Sequence, residues 1–117
     1  MAALLRLLPK GYAQPEYPLR TNKGVKAIDV VWVSRERRGQ KPKNSIVHLL
    51  APEICIEVFS PSNSVAEIEE KILLYFERGA QECWTCDGTG VVSFFDPTGP
   101  IKRSKFCPKF PVRIKRD

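Results

Sequence analysis

Two carboxylates stand where a chain rarely places them. Asp29 is the one charged residue in Ala27-Ile28-Asp29-Val30-Val31-Trp32-Val33, and Glu57 is the one charged residue in Ile54-Cys55-Ile56-Glu57-Val58-Phe59. In both runs the two alternating sets of positions are apolar, the pattern of strands covered on both faces. An ionised carboxylate in such a strand is costly unless a partner, a metal or a proton offsets it. Alternation puts Asp29 on a face with Val31 and Val33, and Glu57 on a face with Cys55 and Phe59, so on neighbouring strands the two acids can converge. Lys71 follows at the margin of the next predicted helix's apolar face, where its stem can lie on apolar surface and its ammonium can reach the strand ends. Asp, Glu and Lys suit a magnesium site, in which oxygen ligands at ~2.0–2.1 Å hold an ion that keeps waters and joins phosphate oxygens. The chemistry implied is phosphodiester hydrolysis. The same three residues also read as a structural ion-pair network, because such networks bury acids too.

The elements that must position these residues follow from the punctuation of the chain. Residues 26–34 read as the strand through Asp29, and 54–59 as the strand through Glu57. Residues 11–24, with Gly11, Pro15, Pro18, Asn22 and Gly24, form a turn-rich stretch expected to hold only short strands. Residues 35–45 have no apolar period and read as an exposed basic loop. Ser64 with Glu67 three residues on is a capping box that opens a helix, and Gly79 is its natural stop. At ~100° per residue Val65, Ile68, Ile72, Tyr75 and Phe76 fall within one arc that should face the sheet, with Lys71 on its border. Leu73 and Leu74 lie off that arc, which suits a second packed face or a homodimer contact. Residues 82–86 and 91–95 are β-rich runs joined by the hairpin signal Asp87-Gly88-Thr89-Gly90. The basic remainder from Ile101 is expected to pack as an irregular edge segment.

With 117 residues, 43% apolar and 27% charged, the whole chain, 1–117, is expected to be one domain with a real core. Its net charge of +6 is unevenly spread. Residues 20–43 hold eight basic and two acidic side chains, 44–97 two and nine, and 98–117 seven and one, so an acidic middle lies between basic flanks. No run approaches the ~18 uncharged apolar residues of a spanning helix, which leaves no expected membrane partner. The apolar opening from Met1 to Pro9 is interrupted by Arg6 and followed by no small-residue cleavage site, so no signal peptide is expected. A cytoplasmic location follows, with Cys55, Cys83, Cys86 and Cys107 as thiols rather than a disulfide framework. Arg35, Arg37, Arg38, Lys41 and Lys43 come directly after the Asp29 strand and are the candidate contacts to the phosphates of a polyanion; a solvated loop is the plainer reading.

Two further motifs compete for attention. Cys83-Trp84-Thr85-Cys86-Asp87-Gly88-Thr89-Gly90 fits one repeat of a chaperone-type zinc module. A structural zinc needs four ligands, and on a strand side chains three apart point to opposite faces, so a zinc-binding module is the weaker reading. His48 lies in Ile46-Val47-His48-Leu49-Leu50 with no nucleophile motif nearby, and reads as a packing or surface histidine.

The ordered motifs resemble a known family. Lys26-Ala27-Ile28-Asp29-Val30-Val31-Trp32-Val33, then Glu57-Val58-Phe59-Ser60-Pro61-Ser62, then Glu69-Glu70-Lys71 through Tyr75 to Gly79 and Trp84, resemble the Uma-two family, restriction-endonuclease-like members of the PD-(D/E)XK nuclease superfamily. The resemblance runs from about residue 16 to about residue 111. It implies an α/β (α+β) fold with a restriction-endonuclease-like core, a mixed central β-sheet flanked by helices, and metal-dependent endonuclease activity on DNA with Mg²⁺ or Mn²⁺. By position Asp29 and Glu57 take the metal-binding roles, and the carbonyl of Val58 completes the coordination. Lys71 matches a lysine that this family carries on the helix rather than two residues after the Glu, where this chain has Phe59; its implied task is to orient or deprotonate water and to stabilise charge on the phosphate. Glu16 matches an upstream acid and is a further candidate ligand. Ile28 stands where the family commonly has Pro. Family members carry a helix and strand ahead of the Glu16 segment, so the core is expected to be N-terminally shortened here, and a catalytically inactive remnant that binds DNA or serves a structural role is the alternative reading.

Overall fold

The computed structural model describes residues 10–114; the apolar opening weighed above as a signal peptide lies outside them. Six strands form one mixed sheet in chain order: β1 (Gly11–Thr21), β2 (Gly24–Ser34), β3 (Ile54–Val58), β4 (Glu82–Cys86), β5 (Val92–Asp96) and β6 (Gly99–Ile101). A one-turn helix α1 (Arg35–Arg38) follows β2, and the 13-residue α2 (Val65–Glu77) connects β3 to β4. The β3–β4 pair is parallel and all the others antiparallel. That is why a helix sits between them, since parallel neighbours need a crossover whereas antiparallel ones close with short turns.

The local causes are visible at each end of α2. Ser64 Oγ accepts the N–H of Glu67 at 3.1 Å, which satisfies one orphan donor of the first turn. Gly79, at φ 101°, takes the left-handed conformation that ends the helix cheaply. The buried stripe of α2 is Ile68, Ile72, Leu74 and Tyr75, while Val65 and Leu73 are each 64% exposed. Leu74 therefore belongs to the fold, and Leu73 does not.

The sheet separates two cores. On the α2 side Tyr17, Leu19, Ile28, Val31, Val33, Cys55 and Cys83 pack with Ile68, Ile72 and Tyr75. On the other side Trp32, Ile54, Ile56, Trp84, Cys86 and Phe94 are covered by Phe106, Phe110 and Ile114 of the C-terminal segment rather than by a helix. Glu82, buried at the start of β4, fixes that segment by accepting from Trp84 Nε1 at 2.9 Å and from the Lys105 N–H at 2.7 Å. A second tie is the approach of Ile114 to Gly90, whose carbonyl accepts the Ile114 N–H at 2.8 Å. A Cβ on Gly90 would meet the Ile114 oxygen at 2.1 Å, so only glycine fits.

Residues 11–24 depart from the short strands expected of them. They give an 11-residue strand, β1, despite Pro15 and Pro18. The reason is position, because β1 is the edge of the sheet, where a missing N–H leaves no ladder partner unsatisfied, and because Tyr17 and Leu19 are fully buried. The expected loop at 35–45 likewise opens with α1, whose cap is Ser34 Oγ accepting from the Arg37 N–H at 3.2 Å. Among the described residues no helix is long and apolar enough to cross a membrane.

Candidate active site

The β2–β3 ladder pairs Trp32 with Ile54, Val31 with Cys55 and Val30 with Ile56, and goes no further. The next step in that register would set Asp29 opposite Glu57. Side chains take over there: the Val58 N–H donates to Asp29 Oδ2 at 2.9 Å, and the Asp29 N–H donates to Glu57 Oε2 at 3.4 Å. The strands part, and the two acids hold the fork.

The same place is irregular on the outer side. The β1–β2 register runs through Pro15–Val30 and Tyr17–Ile28 but skips Glu16 opposite Asp29, and Glu16 has φ 51°. Ile28 and Val31, three apart, line the same core, whereas Ala13 and Tyr17, four apart, lie in different ones. Strict alternation would require the reverse, so both strands slip by one face at the Glu16–Asp29 step, in the manner of a bulge that re-aims a side chain. Glu16, Asp29 and Glu57 thus occupy one transverse row of the sheet, with Glu16 exposed.

Glu57 is 1% exposed. The Tyr75 hydroxyl donates to its Oε1, and Lys71 Nζ lies 3.7 Å from the same oxygen. Lys71 and Tyr75 are four apart on α2 and so share a face. The Lys71 side chain is 35% exposed, which stations its ammonium between the buried carboxyl and solvent. Burial pushes the Glu57 carboxyl up to about 7; the adjoining Asp29 carboxyl adds to the rise, while the Tyr75 hydroxyl and Lys71 ammonium oppose it. Burial and the neighbouring Glu57 raise the Tyr75 phenol far above its ordinary value, so Tyr75 keeps its proton and acts as the donor.

This donor set fits a hard divalent cation. It offers oxygens only, each carboxyl reaches across to the other's strand, and the Asp29 carboxyl adds to the rise at Glu57; a cation would relieve the same repulsion. Among the described residues no group of three or more His, Cys, Asp or Glu side chains gathers, so Asp29 and Glu57 stand as a pair with the backbone of Val58 beside them.

The basic residues after β2 do not behave alike. Arg35, Arg38, Lys41 and Lys43 are exposed. Arg37 instead turns inward: one guanidinium nitrogen donates to the carbonyls of Ala51 at 2.9 Å and Gly79 at 2.8 Å, and its Nε lies 3.6 Å from Glu53. It ties α1 to the end of α2 and is spent on the fold. Cys83 and Cys86 lie in opposite cores, as their strand spacing demands. His48 is buried and stacked on Tyr17, with ring centroids 4.0 Å apart.

Sequence reasoning missed Tyr75 as a partner of Glu57, reading it only as part of the apolar arc. The available signal was its i+4 spacing from Lys71. Arg37, Glu53 and Glu82 carried no local signal, because their partners come from distant parts of the chain.

Comparison with known proteins agrees with this architecture. No curated protein matches the chain. A family model described as a putative restriction endonuclease, Uma2, matches residues 2–106. The crystal structure of a putative nuclease belonging to DUF820 from Anabaena variabilis aligns with a TM-score of 0.67 at 21% identity, covering 81% of this chain and 55% of that one. The likeness at that identity is one of fold, and the present chain spans little more than half the length of its solved counterpart. Matched by the family model over most of its residues and sharing the fold of the DUF820 protein, the chain belongs to the Uma2 family of restriction-endonuclease-like proteins.

Proposed function

We propose that this chain is a metal-dependent DNA endonuclease whose site is Asp29, Glu57 and Lys71. The observation that carries the reading is the fork between β2 and β3, where two carboxylates and one ammonium converge in otherwise apolar surroundings. The carboxylates of Asp29 and Glu57 with the Val58 carbonyl would hold Mg²⁺ or Mn²⁺; Glu16, exposed in the same row, does not gather with them among the described residues and would have to swing inward to become a further ligand. Bound there, the cation would polarise a phosphoryl oxygen and acidify a water.

The chain's own groups do the rest. Glu57 gives up its proton to become a ligand, and the Tyr75 hydroxyl holds Oε1 in place as it does so. The Lys71 ammonium, half in solvent, orients the attacking water and faces the charge that develops on the phosphate. The water oxygen bonds to phosphorus as one ester P–O bond breaks, and the leaving oxygen takes up a proton. Arg35, Arg38, Lys41 and Lys43 supply phosphate contacts around this centre, and a cytoplasmic location follows from a DNA substrate. A single site cuts one strand, so cleavage of a duplex asks for a second copy; the exposed Leu73 beside Val65 is the face assigned to that homodimer, and Leu73→Glu should abolish any concentration-dependent dimer in sedimentation.

Plasmid cleavage tests the reading. Wild-type protein should nick or linearise plasmid with Mg²⁺ or Mn²⁺, and Glu57→Ala should abolish this while sparing most DNA affinity. Lys71→Ala should cut the rate by roughly 10²- to 10⁴-fold, the usual contribution of a positioned acid–base or electrostatic group. A folded wild-type protein that binds DNA with salt dependence yet cleaves with neither metal would leave the inactive remnant as the function.

A further inference from the structure

On the outer edge of β1 lies a cavity of about 270 Å³ lined by Gln14, Pro18, Arg38, Lys41, Ile46 and His48. No carboxylate lines it. Neither Arg38 nor Lys41 forms an ion pair among the described residues. Arg38 is held in place rather than neutralised: its Nε reaches Gln14 Oε1 at 3.4 Å, and its guanidinium lies 4.5 Å above the Tyr12 ring. Two cations at the rim of a polar cavity, with no counter-charge, form a site for an anion.

His48 forms the wall. Its backbone is fastened to the sheet edge, the His48 N–H donating to the Pro18 carbonyl at 3.0 Å and the Arg20 N–H to the His48 carbonyl at 2.9 Å. Tyr17 fixes the ring by stacking and by a hydrogen bond of 2.7 Å between its hydroxyl and Nδ1. With Nδ1 engaged by Tyr17, the ring is held in one orientation and its other nitrogen, Nε2, is left for a ligand. Burial, and then the cations of Lys41 and Arg38, hold the imidazole below its ordinary pKa.

Position supplies the ligand. Gln14 and Pro18 flank Glu16 by two residues on either side, and Glu16 lies across from Asp29. With ~3.3 Å per residue along a strand and ~4.8 Å between strands, the cavity is roughly 10 Å from the Asp29 backbone. We infer that the Arg38–Lys41–His48 cavity is a phosphate-binding subsite that takes a backbone phosphate of the DNA neighbouring the one at Asp29 and Glu57. The inference rests on the nuclease reading for its ligand but concerns binding rather than cleavage.

The chain contains a single histidine, so the ring signals of His48 in an NMR spectrum are an unambiguous reporter. The full-length protein, in chelator so that nothing is cleaved, is titrated with inorganic phosphate and separately with a short DNA duplex. Both should shift the His48 ring resonances and raise its titration midpoint by about one unit or more, as an opposite charge nearby does. Lys41→Ala with Arg38→Gln, both at exposed positions, should suppress that response and lower the slope of log affinity for DNA against log salt by about 2. Lys71→Ala should leave the His48 response in place. Binding of DNA with no change at His48 overturns the subsite and leaves the nuclease reading standing. A response to phosphate without one to DNA also overturns it as a contact to the backbone. A His48 response in a protein that never cleaves DNA supports the subsite and removes the nuclease.

Discussion

Glu57 shows how burial converts a carboxyl into a sensitive group. In the unfolded chain it loses its proton near 4.5, in the folded chain near 7. Between those values the folded protein holds a proton that the unfolded chain has released, so without metal its stability falls as pH rises through that window and levels off above it. The full effect is about 3 kcal/mol. Denaturation midpoints from pH 4 to 9 should therefore show wild type losing stability relative to Glu57→Gln across the window, and a constant difference would refute the raised carboxyl. Saturating Mg²⁺, which selects the ionised form, should lower the folded-state midpoint toward the unfolded one and so shrink or abolish the loss. Tyr75→Phe keeps the ring in the core but removes a donor that favours ionised Glu57. The acidic limb of the pH–rate profile should move to higher pH, whereas a uniform loss at every pH would mean that the hydroxyl acts elsewhere.

At the scale of elements, the site exists because two strands stop pairing at the same step. β2 and β3 part at Asp29 and Glu57, and β1 slips a face at Glu16; the irregularities leave Glu16 exposed and Asp29 half-buried, while Glu57 stays buried against Tyr75 and Lys71. The supports are equally local. Arg37 joins α1 to Ala51, Gly79 and Glu53, so Arg37→Ala should cost about 2 kcal/mol in unfolding free energy, the scale of charged hydrogen bonds left unmade. The salt dependence of DNA binding should not change in that variant. A reduced salt slope with unaltered stability would return Arg37 to the phosphate contacts.

Across the whole molecule, two cores on either side of one sheet do the work that a metal would do in a small zinc module. Cys83 and Cys86 belong to different cores, and burial pushes the Cys55 thiol, paired in register with Cys83, well above its ordinary range. None of this calls for zinc. Purified protein should keep its circular dichroism and melting temperature in chelator, and one zinc per chain with unfolding on its removal would reverse that conclusion.

How far the sequence reached is clear from particular residues. The strands through Asp29 and Glu57, the capped helix between Ser64 and Gly79, and the Asp87–Gly90 turn were all legible, because alternation, caps and turn chemistry are written over a few neighbouring positions. The two acids were conspicuous for the same reason, each being a charge in an apolar run. Their roles in the site were read from the resemblance to a family and remain with the proposal. Other features were decided only by the tertiary structure. Edge position let β1 run through two prolines. A register shared by three strands set Glu16, Asp29 and Glu57 in one row. Packing of α2 against the sheet brought Tyr75 to Glu57, Arg37 was drawn inward by carbonyls 14 and 42 residues away, and His48 was joined to Tyr17 across 31 residues. Short-range patterns specify elements, but hydrogen bonds and burial between distant segments depend on the closed sheet, and no local spacing encodes them.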